Sequence, residues 1–79
     1  MLRSMNAPVV ILDARGLEPP EPMIRILEAL NSLPGDAVLQ AHTDRRPIHL
    51  LPMLEHRGFH GDTTADPERG FITLIRRLP

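Results

Sequence analysis

The chain has 79 residues, 42% of them hydrophobic, with nine basic against ten acidic side chains and a formal net charge of −1 at pH 7. That length holds one small domain, and near-neutral charge with two phenylalanines and no tryptophan or tyrosine argues against a nucleic-acid binder, which needs basic grooves and stacking aromatics. The absence of cysteine removes disulfides, thiolate metal ligands and thiol nucleophiles together.

Residues 1–7 show no periodicity and read as a flexible N-terminal tail, leaving 8–79 as a single domain. The stretch Met1 to Asn6 is too short and polar for a signal peptide, and no apolar run approaches membrane-spanning length. The expectation is a bacterial, cytoplasmic domain with no membrane partner. Val9 to Leu12 is a continuous aliphatic run, the pattern of a strand buried on both faces. Met23, Ile26, Leu27, Leu30 and Leu33 fall at helical spacing, with Arg25, Glu28 and Asn31 turned away, and Pro34-Gly35-Asp36 stops that helix. Ala37 to His42 reads as a second strand, parallel to the first because a helical crossover joins them.

Pro47 opens a second helix with Ile48, Leu51 and Leu54 on one face. Pro52 lies inside that pattern and predicts a kink or a late helix start. Gly58 is suited to cap the helix, with Arg57 in its last turn. Phe59 to Thr64 is polar and contains a glycine, which suits a sheet edge. Asp66-Pro67-Glu68-Arg69-Gly70 forms a hairpin connection to an apolar last strand, Phe71 to Arg76, which belongs in the sheet interior.

The segment Leu12 to Pro22, LDARGLEPPEP, resembles the signature of the TusA/SirA-like sulfur-carrier superfamily, a strand followed by L-D-x-x-G-L and then C-P-x-P at a helix start. Leu12-Asp13, Gly16-Leu17, Pro20 and Pro22 match, and LPMLEHRGF resembles the family's second-helix ending. The resemblance implies an α+β fold: a two-layer α/β sandwich, β-α-β-α-β-β, with a mixed four-stranded sheet of order 1-2-4-3 and two helices on one face. The similarity is closest to an uncharacterised cysteine-free branch, whose members stand alone or are joined to hemerythrin-like domains.

Pro19 stands where the family's persulfide-carrying cysteine belongs. A thiolate there would be stabilised by the helix dipole, whereas proline brings neither sulfur nor an acid–base group. Sulfur transfer by the family's mechanism is therefore excluded. Pro20 and Pro22 also reduce the free donors of the first turn to the N–H groups of Glu21 and Met23, so anion binding at this helix start is not expected.

The carboxyl ends of parallel strands share a rim with the helix starts that follow them. Here the rim collects Asp13, Arg15 and Glu18 after the first strand, and His42, Thr43, Asp44, Arg45 and Arg46 after the second. Arg15 with Arg45 or Arg46 could grip a carboxylate; alternatively Asp13 bonds its own turn and Thr43 or Asp44 caps the second helix. The candidate binding residues are Arg15, Glu18, His42, Asp44 and Arg45.

His49 and His56 are seven residues apart, or ~10 Å along a helix, too far to share one ion. Gly58 interrupts the spacing between His56 and His60, so a metal site would need His42 or His60 to meet carboxylates across the fold. No metal or cofactor is expected, and no serine, histidine and acid arrangement for catalysis is visible; Ser4 lies in the tail and Ser32 at a helix end. Strands one and four are apolar on both faces, so either the strands are short and their outward apolar residues isolated, or an open sheet face is covered by a second copy or another domain, the reading favoured here, with Val10 and Thr73 as outward positions. The expected function is a non-catalytic, TusA-like protein-interaction module. The alternative is a small-molecule or metal-binding domain using the rim around Arg15 and His42.

Overall fold

The strand–helix–strand opening makes its two strands parallel, and the hairpin at the end makes the last two antiparallel. The computed structural model, which describes residues 8–79, follows this order: β1 (Val9–Asp13), α1 (Glu21–Asn31), β2 (Val38–Thr43), α2 (Leu50–His56), β3 (Phe59–Asp66) and β4 (Gly70–Arg77). The tail expected at 1–7 lies outside the described residues. The sheet order is β1-β2-β4-β3, with β1 parallel to β2 and the other pairs antiparallel. This is the mixed four-stranded α+β arrangement expected, with apolar β4 inside and polar β3 at an edge.

Paired residues on neighbouring strands point to the same face. Register and burial together place Leu12, Leu39, Ala41, Thr73 and Ile75 toward the helices. There they meet Ile26 and Leu30 of α1, and Leu50 and Leu54 of α2. Each fully buried aliphatic side chain contributes roughly 1.5–3 kcal/mol. β3 passes beneath α2 by giving up a side chain: a Cβ on Gly61 would lie 2.7 Å from Leu54 Cδ1 and 3.2 Å from Leu51 Cδ2. Glycine in this strand thus admits the helix to the sheet, a reason separate from edge position.

Two expectations about the sheet are corrected. Among the described residues β1 is an edge strand paired only with β2, and Val9, Val10 and Ile11 are exposed, so the aliphatic run is not buried on both faces. Val10 and Thr73 do not face outward: they pair with Leu39 and Ala41, on the helix side. Thr73 is fully buried, and its hydroxyl lies 2.8 Å from that of Thr63 across the β3–β4 pair. The hydroxyls satisfy each other, which removes the cost of burying either alone.

Pro52 resolves as a late start. α2 begins at Leu50, so Pro52 is its third residue, where an N–H would have no intrahelical acceptor. Proline there breaks nothing, and Pro47 and Ile48 are left in the preceding loop.

Candidate functional site

Two loops meet at the carboxyl ends of β1 and β2. In the first, Asp13 accepts the backbone N–H of Arg15 at 3.1 Å and takes the Arg15 guanidinium through Nε and Nη2, both at 2.8 Å. Those side-chain hydrogen bonds, with the backbone bond adding to them, hold the Asp13 carboxyl well below the usual carboxylate range. The same bonds, reinforced by the charge of Asp13, raise the Arg15 guanidinium above its ordinary value. Gly16 then turns the chain at φ 81°, a backbone shape that favours glycine.

Asp44, from the second loop, accepts the Gly16 N–H on Oδ2 at 2.7 Å and so joins the two loops. Beside it, the Thr43 hydroxyl donates to the Arg45 carbonyl at 2.7 Å. Neither residue caps α2, as had been expected of one of them. The cap position is His49, without a side-chain cap bond, because the helix begins too far downstream for Thr43 or Asp44 to reach it. At α1 the Glu21 N–H donates to the Glu18 carbonyl at 2.8 Å, which consumes a donor the sequence had left free. This deepens the depletion of that helix start as an anion site.

Between the loops lies a cleft of about 700 Å³. Leu17, Pro19, Pro20, Pro22 and Met23 line one side, and Arg45, Arg46, Pro47 and Ile48 the other, with buried Ile26 and Leu50 between. The Arg46 guanidinium lies 5.0 Å from the centroid of the Phe71 ring, which holds its stem over the end of β4. Arg45 is exposed and makes no ion pair among the described residues.

Of the five candidate residues, Glu18, Asp44 and Arg45 line this cleft, and Arg15 and His42 do not. Arg15 is engaged by Asp13. His42 belongs to the open face of the sheet, where its Nε2 lies 3.0 Å from Gln40 Nε2 and its buried Nδ1 has no partner among the described residues. The apolar lining at Leu17, Met23 and Ile48 was not singled out from sequence. Ile48 was expected on one helical face with Leu51 and Leu54, and the signal that could have freed it was Pro52, which moves the helix start past it. Among the described residues no group of three or more His, Asp or Glu stands close enough to hold a metal ion. No described helix is long and apolar enough to cross a membrane.

Fold and site define a cysteine-free, two-layer α+β domain with a mostly apolar cleft at the rim of its parallel strands. The chain belongs to the family described as uncharacterized conserved protein (DUF2249), which matches residues 11–77. No curated protein and no solved structure matches it.

Proposed function

We propose that this chain is a non-catalytic protein-interaction module. In this reading it uses a scaffold like that of the TusA/SirA sulfur carriers, with Pro19 in place of their cysteine, and its contact surface is the rim cleft. The observation that carries the reading is the cleft itself. Its volume of about 700 Å³ lies within the range of ligand pockets, and its lining is mostly apolar, with Glu18 on the side of the first loop and Arg45 and Arg46 on the side of the second. Prolines at positions 19, 20, 22 and 47 stiffen both sides, so little conformational entropy is lost when the surface is covered.

The chemistry that suits such a surface is an apolar segment ending in or flanked by a carboxylate. Asp44 is committed to the Gly16 amide, while the Arg45 guanidinium has no carboxylate partner among the described residues. A free small molecule of the same kind is the second reading, favoured by the volume. The open sheet face, where Val9, Ile11 and Leu74 are exposed, offers a further surface to a protein partner.

The test is an amide chemical-shift titration with hexanoate and, separately, hexylamine. Binding in the cleft predicts shifts at Leu17, Met23, Arg45 and Ile48 with the acid, weaker ones with the amine, and loss of the difference in Arg45→Ala. If neither compound moves these resonances, the cleft is not the contact surface.

A further inference from the structure

The two edges of the sheet are built differently. β3 carries Gly61, Asp62 and Asp66 and packs beneath α2, and charges of this kind discourage further strand pairing. β1 has no charge before Asp13 and no proline or glycine within it, and Val9, Val10 and Ile11 are 55%, 39% and 65% exposed.

The hydrogen-bond phase of β1 is fixed at both ends. The Val38 N–H donates to the Pro8 carbonyl and the Ala14 N–H to the His42 carbonyl, each at 2.8 Å. In a parallel ladder the residues that bond one neighbour alternate by two. Pro8, Val10, Leu12 and Ala14 therefore turn their backbone groups toward β2. Val9, Ile11 and Asp13 turn their N–H and C=O groups outward, where no described residue meets them.

We propose that this edge pairs antiparallel with β1 of a second copy of the chain, about a two-fold axis at Ile11. That register sets Ile11 opposite Ile11 of the second copy and Val9 opposite Asp13, so all the outward backbone groups of both strands gain partners. Centring the pair on Val10 or Leu12 instead leaves Asp13 or Val9 without a partner inside the strand. In the Ile11-centred register Val10 meets Leu12 on the helix side, apolar against apolar. The strand is thus its own complement, which is the requirement for an isologous contact.

Charge favours the same occupant. The charge on Asp13 is already neutralised by Arg15 in its own chain at 2.8 Å. The formal net charge of −1 leaves little repulsion between copies. The product is one eight-stranded sheet in which Ile11, the most exposed apolar side chain of β1, lies against its counterpart, and Val9 lies opposite an Asp13 already paired with its own Arg15. No residue of β1 lines the rim cleft, so the contact is independent of binding in that cleft.

Sedimentation equilibrium of the full chain over a concentration series tests this, with Ile11→Lys and Ile11→Glu as variants. Each places like charges opposite one another across the axis and is expected to raise the dimer dissociation constant at least about tenfold. Mixing the two variants should restore a heterodimer, since opposite charges then face each other. In the wild type, hydrogen exchange at the Ile11 amide should slow with concentration while that at Val10, already bonded to β2, does not. This readout stands even if a variant fails to fold. A wild-type chain that stays monomeric to about 1 mM, a dimer indifferent to both variants, or an Ile11 amide whose exchange ignores concentration overturns the proposal.

Discussion

The Asp44 carboxylate accepts the Gly16 amide at 2.7 Å and so ties the loop after β1 to the loop after β2, across 28 residues of sequence. The two sides of the rim cleft belong to these two loops, so the bond fixes the distance between them. Asp44→Ala should leave the sheet and helices folded while loosening the cleft. The bond is solvent-exposed, so the expected loss of stability is only about 1 kcal/mol by chemical denaturation. Amide relaxation at Leu17 and Arg46 should report increased motion. Asp44→Asn, which keeps a carbonyl acceptor, should recover most of the order. An unchanged relaxation profile in Asp44→Ala would mean that the loops are held by their prolines alone.

The Asp13–Arg15 pair makes a pH prediction. The carboxyl is depressed first by its hydrogen bonds from the Arg15 side chain and then by the Arg15 backbone N–H. Because the folded value lies below the ordinary carboxylate value of about 3.9, the stabilisation is complete above that value. It is lost as pH falls through the lower folded value. Both groups are exposed, so the effect on global stability is small and screened by salt. Carboxyl-carbon NMR titration should find Asp13 protonating well below the ordinary carboxylate range. In Arg15→Ala it should return most of the way to the ordinary range.

Much of this architecture was legible in the residues. Apolar Phe71 to Ile75 beside polar Phe59 to Thr64 implied which of the last two strands lies inside, and the crossover rule set β1 parallel to β2. The burial of β1 was not legible. Hydrophobic pattern reports what a strand can tolerate, whereas exposure depends on which neighbours the sheet supplies, and no described residue packs on the outer side of Val9 to Ile11. Thr73 failed for a related reason: its buried hydroxyl is satisfied by Thr63, a partner known only once the register is. At the site, the bond of Asp13 to its own turn was readable from adjacent residues, but the capture of the Arg15 guanidinium by the same carboxylate was not. The cleft was not, because it depends on where two helices begin, and Pro52 left two positions open for the second.

Of the five glycines, Gly70 is the one where an added Cβ would come nearest another atom. Its φ is 89°, and a Cβ there would stand 2.5 Å from the Thr43 carbonyl oxygen, a backbone atom that cannot rotate away. Gly70→Ala should therefore cost more than about 2 kcal/mol, combining left-handed strain with the clash. Gly35 is the control, since its Cβ would meet nothing within 4 Å and its φ lies outside the left-handed range. Gly35→Ala should stay within about 0.5 kcal/mol of the wild type. Urea midpoints of the two variants decide the matter, and equal midpoints would mean that the turn at Gly70 relaxes without cost.

The contact of α2 with the sheet rests on a complementary pair, a missing side chain at Gly61 and a full one at Leu54. Leu54 is completely buried, and its truncation to alanine removes methyl groups that close surroundings cannot replace, at a cost of about 2–5 kcal/mol. Gly61→Ala acts in the opposite sense: the added methyl meets Leu54 Cδ1 at 2.7 Å and pushes the helix off the strand, for about 1–3 kcal/mol. The double variant places the new methyl beside the space the leucine has vacated. Its loss should therefore fall short of the sum of the two single losses by about 1 kcal/mol or more. A double-mutant cycle by urea denaturation measures that coupling. Strict additivity would show that α2 already sits loosely on β3, and that the glycine serves the backbone of the strand rather than the approach of the helix.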